Sequence, residues 1–92
     1  MIFEWDEEKN AVNIEKHKIS FETAAYVFYD PAYIEMYDFE HSVEEDRYIA
    51  IGRAGGILFV VFTERKENIR LISARLATEA ERRLYYDQDI SN

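Results

Sequence analysis

The change of hydrophobic period at Asp30-Pro31 constrains the fold of this chain more than any other feature. Before it, Phe21, Ala24, Ala25 and Phe28 recur at i, i+3, i+4 and i+7, which is one apolar face of a helix. After it, Tyr33, Glu35 and Tyr37 alternate with Ile34, Met36 and Asp38, the pattern of a strand. The residue before a proline avoids the helical region, so the helix must stop at Asp30. The chain therefore divides into a helical opening and a strand-rich remainder.

Local signals fill in both parts. Trp5 closes a short apolar start that suits an edge strand. Asp6 can cap a helix running to about Lys18, and Ser20 can cap the next. Phe39 to Asp46 is acidic and reads as an exposed loop. Tyr48 to Arg53 reads as a strand, and Ala54-Gly55-Gly56 supplies a turn tolerant of positive φ. Ile57 to Thr63 is rich in β-branched and aromatic residues and reads as a buried strand. Arg65-Lys66-Glu67-Asn68 is a polar turn, and Ile69 to Arg75 is another strand. Thr78-Glu79-Ala80-Glu81 spells a capping box that opens a last helix through about Asp87. The expected order is β-α-α-β-β-β-β-α. Strands joined by short turns give an α+β fold, an antiparallel β-meander packed by two N-terminal helices and a C-terminal helix.

Bulk properties bound the function. Residues 1–92 are expected to form a single domain, with seven Tyr, six Phe and many aliphatics available for a core. There is no cysteine, which excludes disulfides and thiolate metal sites and fits a reducing compartment. The start, Met1-Ile2-Phe3-Glu4, lacks the basic region of a signal peptide, and Ile57 to Phe62 is too short to span a bilayer. A cytoplasmic protein with no membrane partner is expected. The net charge of −8 argues against simple nucleic-acid binding. The charge is unevenly spread, however. Residues 1–46 hold 13 acids and 3 bases, a net of −10, whereas residues 47–92 hold 6 acids and 8 bases, a net of +2. The second half can serve an anionic ligand, and the first can face a basic protein or simply keep the chain soluble.

Hairpin arithmetic sorts the arginines. With a turn at Ala54-Gly55-Gly56, Arg53 pairs with Ile57 and Arg47 with Thr63. With a turn at Lys66-Glu67, Arg65 pairs with Asn68, Thr63 with Arg70 and Leu58 with Arg75. Arg53 and Arg75 then lie at one end of the sheet, roughly 20 Å from Arg65 at the other. The helix from Thr78 starts near the Arg53/Arg75 end, within reach of Arg82, Tyr85 or Tyr86. A slip of one residue in either turn would move side chains to the opposite face.

The order of these residues resembles a known family. Trp5-Asp6-x-x-Lys9-x-x-x-Asn13-x-x-Lys16-His17-x-Ile19-x-Phe21-Glu22-x-Ala24 is similar to the opening of BrnT-type toxins of bacterial toxin–antitoxin systems. So are Arg47-x-x-x-Ile51-Gly52-Arg53, Thr63-Glu64-Arg65, Ile72-Ser73-Ala74-Arg75-x-Ala77, and Glu81 with a following Tyr. The match spans essentially the whole chain. The resemblance implies a RelE-like fold and ribonuclease activity that blocks translation and arrests growth. It also implies neutralisation by a BrnA-type antitoxin, and repression of the operon by the complex, with the antitoxin supplying most of the contact to operator DNA. Such toxins are often basic, and this chain departs from them in its acidity.

RNA cleavage without a metal or other cofactor needs three things: activation of the ribose 2′-hydroxyl, stabilisation of the phosphorane charge and protonation of the leaving 5′-oxygen. Arg75 and Arg53 suit charge stabilisation, since a guanidinium grips phosphate with two parallel bonds. Each is also an ordinary candidate for a surface salt bridge. His17 suits proton transfer, because an imidazole titrates near neutrality. Equally, His17, Lys16 and Lys18 suit a helix C-terminus, where cations complement the dipole. Lys16, Lys18, Arg65 and Tyr85 are the candidate RNA-binding residues, with packing of the last helix as the competing role for Tyr85 or Tyr86. Trp5 can stack a base, though a core position suits it better. Asp38, His41, Glu44 and Glu45 follow no metal-ligand spacing, and no metal is expected. A second reading remains open: a non-catalytic, toxin-like module that sequesters the antitoxin and tunes repression.

Overall fold

Two side-chain caps start the helical part. In the structure, a computed structural model that describes residues 1–88, the Asp6 carboxylate accepts the backbone N–H groups of Glu8 and Lys9 and opens helix α1, Glu7–His17. Lys18 ends α1 in the left-handed region at φ 62°, its N–H returning to the Ile14 carbonyl at 2.8 Å. The Ser20 hydroxyl then caps α2, Phe21–Ala25. The apolar face read as one helix divides here. Residues Tyr26–Tyr29 tighten into a 3₁₀ turn, and Asp30 leaves it in extended conformation. Phe21, Ala24, Ala25, Val27 and Phe28 are all buried on this segment.

The strands are β1 (Ile2–Glu4), β2 (Ile34–Tyr37), β3 (Tyr48–Arg53), β4 (Ile57–Arg65) and β5 (Asn68–Leu76). Helix α3, Glu79–Asp87, comes last, with the full Thr78/Glu81 capping box. The sheet order is β1-β5-β4-β3-β2. Strands β2 to β5 form the expected antiparallel meander. The sheet as a whole is mixed, because β1 joins its edge parallel to β5, with Phe3 opposite Ile69. A parallel neighbour needs a long crossover, and α1, α2 and the meander together supply it.

The register of β4 and β5 differs from the turn arithmetic at one place. Arg65 pairs with Asn68 and Thr63 with Arg70 as expected, but a bulge between Val61 and Phe62 of β4 and Leu71 to Ser73 of β5 shifts the pairing beyond it. Arg75 pairs with Phe59, and Leu58 pairs with Leu76 instead. A one-residue shift reverses the face of every side chain past the bulge. Arg75 therefore leaves the face of Leu58 for that of Ile57, Phe59 and Arg53.

The two faces have different fates. Leu58, Val60, Phe62, Leu71, Ala74 and Ala50 pack beneath α1, α2 and the 3₁₀ turn as the main core. The opposite face carries a smaller cluster of Ile51, Ile57 and Tyr85, with Ile34, Met36, Ile49 and Phe59 half-buried around it. Among the described residues, α3 is the helix that covers that face, at the Arg53 end. No helix among the described residues is long and apolar enough to cross a membrane.

Candidate functional site

Asn13 is the fastener of the site. Strand β1 pairs with Asn68 to Arg70 only, so the outer edge of β5 beyond the bulge lacks a neighbouring strand. Asn13, on α1 and 5% exposed, takes that place. Its amide nitrogen donates to the carbonyls of Ile19 (2.8 Å) and Ala74 (2.9 Å), and its oxygen accepts the Ala74 N–H at 3.1 Å. The side chain thus imitates a paired strand, and it sets α1 against the edge of β5 in a fixed register. Asn10 supports it by accepting the Phe21 N–H at 2.8 Å.

A groove of about 400 Å³ opens beside this contact, lined by Lys9, Asn13, Lys16, His17, Ile72 and Ser73 among others. Ser73 and Arg75 alternate with Ala74, which faces the main core, so Ser73, at the groove, and Arg75 project from the same face of β5. Arg75 lies across the sheet with its guanidinium carbon 3.9 Å from the centroid of the Phe59 ring. Its two terminal nitrogens donate to Glu81 Oε1 and Oε2 at 2.8 and 2.9 Å. The hydrogen bonds hold the Glu81 carboxyl below its ordinary range and raise the Arg75 guanidinium further. Glu81 Oε1 also accepts the Thr78 N–H, so the capping box that starts α3 is the same group that orients Arg75. In the side chains, 36% of Arg75 and 18% of Glu81 remain exposed, so the ion pair can be reached from solvent.

Arg53 projects from the same face and the same end of the sheet. Two inter-strand spacings and two residues separate it from Arg75, about 12 Å between Cα atoms at normal strand spacing. Its guanidinium donates to the Tyr86 hydroxyl at 3.2 Å, the bond that raises its pKa most, and lies about 6 Å from the rings of Tyr85 and Tyr86. Arg53, Ile57, Leu76, Arg82 and Tyr86 border a second groove of about 220 Å³.

The remaining expected site residues lie elsewhere or are otherwise engaged. Tyr85 is buried at 7% exposure and turned inward, its hydroxyl donating to Asp30 Oδ2 at 2.6 Å. Burial pushes its hydroxyl pKa up, and the Asp30 carboxylate adds to this. Burial also acts against the Asp30 carboxylate, but hydrogen bonds from Tyr85, Ala32 and Arg53 outweigh it and leave Asp30 lowered. Lys18 donates its ammonium to the Glu15 carbonyl and serves as the cap of α1. Arg65 sits six residues along β4 from Phe59, roughly 20 Å from Arg75, in an exposed 3.6 Å pair with Glu45. Lys16 and His17 stay together in the first groove. Trp5 packs edge-on against Phe21 at 6.2 Å. Asp38 and His41 pair with each other at 3.0 Å, and among the described residues no group of three His, Cys, Asp or Glu is placed to hold a metal ion.

Sequence reasoning passed over Asn13, Phe59, Ser73 and Glu81 as members of the site and favoured Tyr85 over Tyr86. Glu81 had a signal: it is the N3 residue of a capping box, only six positions after Arg75. Phe59 had none, since its place under Arg75 depends on the bulge.

The chain has recognisable relatives. The protein-family model described as the ribonuclease toxin BrnT of type II toxin–antitoxin systems matches residues 5–81. The fold is similar to the crystal structure of the Brucella abortus ribonuclease toxin BrnT, with a TM-score of 0.65 and 25% identity over 86% of this chain and 100% of that one. No curated protein matches the chain. The matched span holds the fastener Asn13, the groove residues Lys16, His17 and Ser73, and the Arg75–Glu81 pair, and on it the chain belongs to the BrnT family of ribonuclease toxins of type II toxin–antitoxin systems.

Proposed function

We propose that this chain is a metal-independent endoribonuclease that inhibits translation and is neutralised by a BrnA-type antitoxin. The observation that carries the reading is the bulge in β5. It brings Arg75 onto the face and end of the sheet that hold Arg53, next to the groove of Lys16, His17 and Ser73. An RNA strand lying across this face meets cations on both sides of one phosphate. His17 accepts the 2′-hydroxyl proton, the 2′-oxygen bonds to phosphorus, and the bond to the 5′-oxygen breaks as that oxygen takes up a proton from water. The products are a 2′,3′-cyclic phosphate and a 5′-hydroxyl. Arg75 and Arg53 stabilise the charge that builds on the phosphorane oxygens, where fixed donors act most strongly. Lys16 adds charge along the groove for the neighbouring phosphate.

Glu81 sits where the phosphate must bind. Its carboxylate fills the Arg75 fork in the free protein, so substrate binding exchanges one oxyanion for another. Phe59 holds the guanidinium plane during that exchange. The reaction is tested by incubating the purified chain with messenger and ribosome-bound RNA in excess chelator. Cleavage lost in folded Arg75→Ala and Arg53→Ala variants supports the reading, and intact RNA with folded wild-type protein refutes it.

A second reading has its own observation: both arginines already have partners in the chain, Glu81 and Tyr86, and the N-terminal half is strongly acidic. In that reading the protein is a non-catalytic module that binds a basic antitoxin, the complex meeting operator DNA mainly through the antitoxin. Growth arrest on expression of the chain alone, relieved by Arg75→Ala, decides for the enzyme.

A further inference from the structure

The β1 edge of the sheet carries a different surface. Strand β1 is an edge strand, and among the described residues its outward backbone groups have no partner. Beside it lies a groove of about 500 Å³ lined by Phe3, Trp5, Glu22, Ala25, Tyr26 and Tyr29. Phe3 faces the main core side of the sheet, against Phe28 and Tyr29. The 3₁₀ turn holds Tyr26 and Tyr29 over the same side with ring centroids 6.3 Å apart and planes at 52°. Both rings are left open, at 63% and 61% exposure. Trp5 is steadied by an indole N–H donated to Glu7 at 2.7 Å. The Glu22 carboxylate, at the rim, has no ion-pair partner among the described residues.

We infer that this groove is a docking site for an extended, arginine-bearing segment of a protein partner, which adds as a strand to the free edge of β1. A strand added there lies about 4.8 Å beyond β1, and every second side chain falls on the Phe3 side, beneath Tyr26 and Tyr29. Strand β1 spans only Ile2–Glu4, so backbone bonds alone are few and a side-chain anchor is needed. Aromatic faces with a free carboxylate at the rim suit a guanidinium, which stacks on rings and bonds to carboxylates in one geometry. Charge selects the occupant. Asp6, Glu7 and Glu8 come directly after β1, Glu22 borders the groove, and the first half of the chain carries a net −10. A second copy of this chain would bring like charge against like. A basic segment meets the opposite sign. The inference stands on this edge alone and does not depend on RNA cleavage.

Trp5 is the sole tryptophan and sits in the groove, so its fluorescence reports occupancy. The full chain is titrated with a synthetic peptide of alternating valine and arginine, and with the counterpart that has glutamate for arginine. The expected result is a saturable change with the arginine peptide only. Tyr29→Ala should weaken binding roughly five- to thirty-fold. Glu22→Gln should weaken it as well, while Glu44→Gln, which removes the same charge from the distant acidic loop, should leave it unchanged. Tyr29 and Glu22 are exposed, and circular dichroism confirms that the variants fold. Three outcomes overturn the inference: equal response to both peptides, equal loss in Glu22→Gln and Glu44→Gln, or self-association of the free chain in sedimentation that Tyr29→Ala abolishes.

Discussion

Replacing Asn13 by alanine tests how the site is built. Asn13 is 5% exposed and makes three hydrogen bonds to backbone groups at 2.8, 2.9 and 3.1 Å. The substitution leaves the Ala74 N–H, the Ala74 carbonyl and the Ile19 carbonyl without partners. A buried group stripped of its partner costs about 1–3 kcal/mol, so the expected destabilisation is about 3–5 kcal/mol after partial relaxation. A domain of this size has roughly 5–15 kcal/mol in all, so the variant should fold but only just. Urea unfolding should show a lower midpoint with an unchanged slope, since the same surface is exposed on unfolding. The loss should also loosen α1 from the edge of β5 and displace His17 and Lys16 from Ser73 and Arg75. Activity should then fall in conditions where the variant is still folded. Asn13→Asp should be at least as damaging, because it sets a carboxylate against two carbonyl oxygens. A destabilisation below about 1 kcal/mol would overturn this account of Asn13, since it would mean that water replaces the amide without penalty.

Other consequences are open to measurement. A Cβ on Gly52 would lie 2.8 Å from both Tyr33 Cβ and Val27 Cγ1, so Gly52→Ala should cost about 1–3 kcal/mol in the same unfolding assay. Arg75→Lys should recover little of the activity that Arg75→Ala loses, because an ammonium cannot form the two parallel bonds seen to Glu81; equal rates for Arg75→Lys and wild type would contradict this. Glu81→Gln should tighten RNA binding several-fold by removing the competing carboxylate, read from filter binding with a non-cleavable 2′-deoxy substrate. Stability should also decline in acid. Glu81, Glu4 and Asp30 all sit below their ordinary values, so the folded state binds fewer protons than the unfolded chain. Their contribution is complete above about pH 4.5, the ordinary glutamate value, and is lost as pH falls through the lower folded values. A midpoint in urea that is flat from pH 6 to pH 3 would contradict this, and Glu81→Gln should flatten part of the slope.

Much of the fold was legible because its signals are local. Asp6, Ser20 and Thr78 cap their helices through bonds to residues two or three positions away, and such bonds form in the same way in any context. Pro31 ends the helical part for a steric reason confined to neighbouring residues. The turns at Gly55 and Lys66 set the two hairpins, and with them the end of the sheet at which Arg53, Arg65 and Arg75 lie. Which face each side chain takes is not local. The β4–β5 bulge puts Arg75 over Phe59 and not beneath α1, and nothing in Ile72-Ser73 announces an unpaired residue. The choice between Tyr85 and Tyr86 was likewise made by Asp30, 55 positions from Tyr85, which draws one ring inward and leaves the other for Arg53. Asn13 reads in sequence as a polar residue on a surface helix. It is the main fastener of the site because β1 ends early and leaves a backbone edge that its amide satisfies. The elements, their order and the end of the sheet where the cations gather were thus settled by the order of residues along the chain. The face and the partners of each side chain were settled only on folding, because they depend on hydrogen bonds and packing between segments that meet only in the folded chain.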